Sequence, residues 1–174
     1  MRKLMFGLAA AALLSNAASA ALPVGAKAPN VVTTGAVGGK PFRVNLAREL
    51  RRGPVVLYFF PKAFTEGCTL EARAFSEAMP EFRKAGATVI GMSADDLDTL
   101  KRFSVEACRS AFPVATAPPA TIKAYDVVLK KKPELTDRTS YVIDRRGRIV
   151  FVHSDMNWSE HVQKTLAAVK ALKK

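Results

Sequence analysis

The chain is poor in the residues that build metal centres and disulfide scaffolds. It holds two cysteines, Cys68 and Cys108, and two histidines, His153 and His161. Two cysteines exclude a four-cysteine zinc site and a small disulfide-stapled fold. Two histidines, without ligand spacing to any cysteine or acid, leave little from which to build a metal centre. Acidic side chains are scarce as well, 15 Asp and Glu against 27 Lys and Arg, for a formal charge of +12. That surplus permits attraction to anionic surfaces and decides nothing about fold. No run approaches the roughly 18 apolar residues of a membrane-spanning helix, and there is no internal repeat or long low-complexity tract. What remains is ordinary: 174 residues, 49% apolar and 24% charged. Such a chain makes one globular domain with enough length to bury a core.

Residues 1–20 read as an address. Arg2 and Lys3 give a short positive start, Leu4 to Leu14 an uncharged apolar run, and Ala18-Ser19-Ala20 a small-residue cleavage site. This is the pattern of a secretory signal peptide, and it predicts an exported protein, periplasmic or extracellular, with residues 21–174 as the mature domain. Residues 21–40 read as an extended lead-in with turns at Gly35 and at Gly38-Gly39. Residues 41–46 alternate apolar and polar, as a half-buried strand does. Val55 to Phe60 is continuous and β-rich, which predicts a central strand buried on both faces and ended by Pro61. A helix follows from Thr65, with Pro80 kinking it or ending its regular part. Thr88 to Met92 is a second buried strand, and Asp95-Asp96 opens a second helix that faces inward through Leu97, Leu100, Phe103 and Ala107. Val114 to Thr116 is a short strand. Residues 140–144 and 148–152 form a hairpin around Arg145-Arg146-Gly147. A last helix from Ser159 buries Val162, Leu166, Val169 and Leu172. The order predicts an α/β fold, a thioredoxin-like central mixed sheet with helices on both faces. The layout alone names no activity.

The chemistry concentrates between Pro61 and Glu71. Cys68 falls in the first turn of the predicted helix, where free amide N–H groups and the positive end of the helix dipole favour a thiolate. Thr65 stands three residues earlier, where a dithiol oxidoreductase would carry its second cysteine, so exchange through a Cys-x-x-Cys motif is excluded. One nucleophilic sulfur beside a hydroxyl that both donates and accepts suits attack on a polar O–O bond.

Pro61, Thr65 and Cys68 in this register resemble the Pro-x-x-x-Thr-x-x-Cys signature of peroxiredoxins. The surrounding residues, Tyr58-Phe59-Phe60-Pro61-Lys62 and Gly67-Cys68-Thr69-Leu70-Glu71-Ala72, are similar to the subgroup named for bacterioferritin comigratory protein. The resemblance implies a thiol peroxidase that reduces hydrogen peroxide and organic hydroperoxides without metal, haem or flavin. Cys68 would be the peroxidatic cysteine, oxidised to a sulfenic acid. Thr65 would bond the peroxide and Pro61 would shield the sulfur. Arg138, just before a late strand in Asp137-Arg138-Thr139-Ser140-Tyr141, would stabilise the thiolate, and Glu71, one turn past Cys68, would orient that arginine. A thiol reductant, a thioredoxin-like protein or a small thiol, would restore the enzyme, acting as monomer or dimer.

The sulfenic acid must be reduced before it advances to irreversible states. Relatives with a resolving cysteine five residues after the first have no counterpart here, because that position is Arg73. Cys108, after the second helix, either resolves Cys68 by a disulfide or is a core residue in a one-cysteine cycle. Lys130-Lys131-Lys132 and Arg145-Arg146-Gly147-Arg148 read as solvated loop charge rather than a nucleic-acid or specific membrane site, and Trp158 as a packing residue. The competing reading is a non-catalytic thioredoxin-fold envelope module for binding or redox sensing. Pro61, Thr65 and Arg138 together distinguish the two.

Overall fold

A computed structural model describes residues 21–172. The signal-peptide reading of Met1 to Ala20 lies outside the described residues. Seven strands form one mixed sheet: β1 Val32–Val37, β2 Lys40–Asn45, β3 Val55–Phe59, β4 Thr88–Ser93, β5 Val114–Thr116, β6 Thr139–Ile143 and β7 Ile149–Ser154, in the order β2-β1-β5-β4-β3-β6-β7. β3, β4 and β5 run parallel, while the β1–β2, β1–β5, β3–β6 and β6–β7 pairs are antiparallel. Helices α1 Leu46–Arg52, α2 Glu66–Lys84, α3 Leu97–Glu106, α4 Pro119–Ala124 and α5 His161–Ala171 join them.

The sheet is covered on both faces, and β3 shows why its sequence has no alternation. Val56 and Tyr58 point into one core layer, with Phe75 and Phe82 of α2 and Phe103 of α3. Val55, Leu57 and Phe59 point into the other, with Leu46 and Leu50 of α1 and Ile122 of α4. Each such side chain, fully buried, stabilises the fold by ~1.5–3 kcal/mol. The strand that carries the reactive loop at its end is thus buried along its whole length. That placement matches the sequence reading, as does the thioredoxin-like α/β architecture.

Two local expectations fail for physical reasons, and a third is narrowed. Gly35 is not a turn: it sits inside β1 opposite Ala115. A Cβ there would come within 2.2 Å of the Val114 carbonyl oxygen, so only glycine lets β1 and β5 meet. The turn is at Gly38 and Gly39 alone, with φ of 56° and 75°. Of the two outcomes expected at Pro80, a kink or an end, the end does not occur: α2 runs on to Lys84, held by the packing of Met79 and Phe82. In α5 the buried row is His161, Thr165 and Val169. Val162 and Leu166 are only partly buried against the core, and Leu172 is exposed. The periodicity misplaces this stripe because two of its buried residues are polar. The short α1 and α4 and the first strand have no clear sequence signal.

Candidate active site

The loop between β3 and α2 is pinned from both sides. The Thr136 hydroxyl donates to the Phe60 carbonyl at 2.7 Å. The Ala63 amide donates to Asp95 Oδ2 at 2.7 Å, and the Ser93 hydroxyl donates to the same oxygen at 2.8 Å. Asp95 thus anchors the loop, while Asp96 caps α3 through the Thr99 amide at 2.8 Å. Phe64 takes a left-handed φ of 62°, a strained choice for an aromatic residue. Its ring meets Phe103 edge-on at 5.3 Å and lies under the Arg102 guanidinium at 5.4 Å. These contacts hold the backbone where it turns into α2.

Thr65 is the N-cap residue of α2, but its side chain does not cap the helix. Its hydroxyl donates instead to the Lys62 carbonyl at 3.0 Å, which leaves the oxygen lone pairs free to accept. Cys68 is the third helical residue. The first backbone bond of the helix runs from the Thr69 amide to the Thr65 carbonyl, so the amides up to Cys68 precede the intrahelical ladder. Cys68 is 2% exposed.

Arg138, at the start of β6, reaches this sulfur from across the sheet. Its Nη2 lies 3.4 Å from Cys68 Sγ, its Nε donates to the Met156 carbonyl at 3.0 Å, and its Nη1 donates to Glu71 Oε2. Burial works against the guanidinium charge, and Glu71 and Cys68 outweigh it. A cation and free amide ends against a shielded sulfur stabilise negative charge there. Gly67 makes the approach possible: a Cβ on it would stand 3.3 Å from Arg138 Nη2 and 3.5 Å from Trp158 Cδ1. Trp158 therefore packs beside Gly67 at the start of α2, a neighbour its isolated position in the sequence does not reveal.

Glu71 is fully buried, and burial pushes its carboxyl up to about 8 against the pull of Arg138. Behind it stands His161, also fully buried, with Nδ1 3.7 Å from Glu71 Oε1. Nothing in the sequence marks His161 as part of the site; only the packing of α5 onto α2 brings it there.

A cavity of about 720 Å³ opens beside Pro61, Thr65 and Arg138. Val128, Leu129, Leu135 and Met156 give it an apolar wall, and Lys130, Lys131 and Lys132 stand at its rim. The lysine run is exposed, as its sequence suggests, but it borders the reactive pocket rather than an unrelated loop. Cys108 lies elsewhere in the same core layer, fully buried and free, as is Cys68. The structure thus assembles Pro61, Thr65, Cys68, Glu71 and Arg138 into one site, with Cys108 in the same core layer.

Comparison with known proteins gives a consistent placement. Residues 24–152 match the AhpC/TSA family. The chain is 34% identical over 123 residues to Peroxiredoxin Bcp of Xanthomonas campestris, covering 67% of this chain and 76% of that protein. It is 34% identical over 121 residues to the chloroplastic Peroxiredoxin Q of Populus jackii, covering 68% of this chain and 56% of that longer protein. The crystal structure of peroxidoxin BcpB from Mycobacterium tuberculosis superposes with a TM-score of 0.76 at 30% identity, covering 87% of this chain and 98% of that one.

Proposed function

Because the chain belongs to the AhpC/TSA family, we propose that it is a thioredoxin-dependent type of thiol peroxidase acting on hydrogen peroxide and organic hydroperoxides through Cys68. The Cys68 thiolate attacks one peroxide oxygen. An S–O bond forms, the O–O bond breaks, and the departing oxygen takes up a proton to leave as water or alcohol. Thr65 accepts a hydrogen bond from the peroxide hydrogen, and Arg138 stabilises the charge that grows on the departing oxygen. Pro61 keeps water off the sulfur. The cavity beside these residues, about 720 Å³, has room for an organic group as well as for hydrogen peroxide. A thioredoxin-like protein or a small thiol returns the sulfenic acid to the thiol. The leader-like pattern of residues 1–20 supports export, so that the enzyme guards the cell envelope against oxidants.

The observation that carries this reading is the 3.4 Å contact between Arg138 Nη2 and the sulfur at the start of α2. A buried thiol kept only for packing needs no guanidinium. The test is stopped-flow consumption of peroxide by the reduced protein and by Cys68→Ser. Consumption by the parent alone is expected; equal consumption by both overturns the assignment and favours a binding or redox-sensing module.

A further inference from the structure

The side chains behind Cys68 pose a problem of charge counting. Arg138 touches two acids at once, with Nη1 on Glu71 Oε2 and Nη2 3.4 Å from Cys68 Sγ. All three residues are buried. If thiol and carboxyl were both ionised, two negative charges would share one guanidinium in a dry place. An unbalanced buried charge is far costlier than a balanced pair. The reaction requires the thiolate, so one proton must be held elsewhere in the cluster.

The geometry behind Glu71 shows where. Its Oε1 is buried and has no hydrogen-bond partner. It faces Nδ1 of His161 at 3.7 Å. The other ring nitrogen, Nε2, lies 2.8 Å from the Asp155 carbonyl. A carbonyl only accepts, so Nε2 carries the hydrogen of the neutral ring. Nδ1 then offers a lone pair, with the Ser140 hydroxyl 2.8 Å away. The Ser140 hydroxyl occupies that lone pair, and 3.7 Å is beyond hydrogen-bond reach. A bare carboxylate oxygen facing this electron-rich edge is both repelled and unsatisfied, whereas a neutral carboxyl removes the repulsion. Burial favours the same assignment, holding His161 down to about 4 and Glu71 up to about 8. Other groups face the pair from every side. The Tyr58 hydroxyl approaches from β3, itself unpartnered and held well above its usual range by burial. His153 approaches from β7 with its ring 4.5 Å from that of His161, and Asp155, Glu160 and Lys164 surround the two histidines.

Resting on the peroxidase reading, we propose that Glu71 Oε1 holds the proton that Cys68 gives up, and releases it when the sulfur loses its charge. Cys68–SH and Glu71–COO⁻ become Cys68–S⁻ and Glu71–COOH. Reaction with ROOH then gives Cys68–SOH, ROH and Glu71–COO⁻. Sulfur supplies two electrons to the O–O bond and keeps the hydroxyl; the departing alkoxide takes a proton from solvent, and Glu71 returns one to solvent as the sulfur loses its charge. The cluster of Arg138, Glu71 and Cys68 stays neutral at each stage. Glu71 touches neither peroxide nor reacting oxygen; it is a positioning residue that acts behind Arg138.

The test is a proton count on the full chain carrying Cys108→Ser, so that Cys68 is the sole thiol. In weak buffer at pH 7 with an indicator dye, Cys68 is alkylated with iodoacetamide while its ultraviolet thiolate band is followed. The band is expected at the start, and yet about one proton is released per sulfur alkylated. Glu71→Gln, which has no proton to hold, releases none. A thiolate alkylated without proton release, or the absence of a thiolate band, overturns the proposal. Alkylation needs no peroxidase activity, so a protein inert to peroxide would sink the functional reading and leave this count interpretable. If Glu71→Gln does not fold, or the sulfur resists iodoacetamide, infrared difference spectra of the parent protein decide. A carboxylic-acid C=O band at pH 7 that vanishes as pH rises past about 8 supports the proposal, and carboxylate bands alone overturn it.

Discussion

Two buried thiols in one core layer have opposite surroundings. Cys68 and Cys108 both lie between the sheet and the helices α2 and α3, and both are shut off from solvent. Cys68 begins a helix and meets a guanidinium. Cys108 follows the end of α3, where its amide donates to the Phe103 carbonyl at 3.1 Å. Burial alone acts on its thiol and pushes it well above the ordinary range. Low dielectric strengthens a nearby charge in one place and suppresses ionisation in the other. The two thiols thus differ in neighbouring charge and not in exposure.

The sharpest way to break that contrast is to remove each sulfur in turn. Cys68→Ser abolishes peroxide consumption in stopped-flow assays. Arg138→Met, which keeps bulk but removes the cation, lowers the second-order rate of peroxide reaction by about 10²–10³-fold. Arg138→Lys recovers little of that loss, because an ammonium cannot serve Cys68, Glu71 and Met156 together.

The polar row behind the site gives the next effect. His161 is held down to about 4 from 6.5 in the fold, so the folded state resists its protonation. Its contribution to stability is complete above pH 6.5 and is lost as pH falls toward the folded value, by about 3 kcal/mol in all. Urea denaturation across that range measures the loss, and His161→Gln flattens the curve. Thr65→Val, which deletes one hydrogen-bonding oxygen, slows peroxide reaction by about 10-fold. The smallest effect sharpens the comparison most. Cys108→Ser changes the first, peroxide-consuming step by less than about twofold, since no charge near Cys68 depends on it. Mass spectrometry of the parent after one equivalent of peroxide then separates the two return paths. Loss of two hydrogens marks a Cys68–Cys108 disulfide, and gain of one oxygen marks a one-cysteine cycle.

The candidate site was legible in part. Cys68 and Thr65 stand out by their spacing at a strand-to-helix turn, whereas the roles of Pro61, Glu71 and Arg138 followed only from the resemblance to the peroxiredoxin signature. The buried strand β3 was clear, because an uninterrupted apolar run needs cover on both faces. What escaped was whatever depends on distant elements meeting. His161 reads as a lone polar residue at a helix start until α5 is laid against α2. Trp158 matters only because Gly67 leaves room beside it. Gly35 looks like punctuation, since its real constraint is the backbone of β5, some eighty residues away in the chain. The lysine run looks like any solvated loop until the fold carries it to the rim of the pocket.

The grip of Arg138 reaches beyond electrostatics. One planar group ties the first turn of α2 to the carbonyl of Met156, past the end of β7, and the Arg138 carbonyl in turn receives the Asp155 amide at 3.1 Å. The segment that carries Met156 is therefore joined through one side chain to the start of α2, although the two lie far apart in the chain.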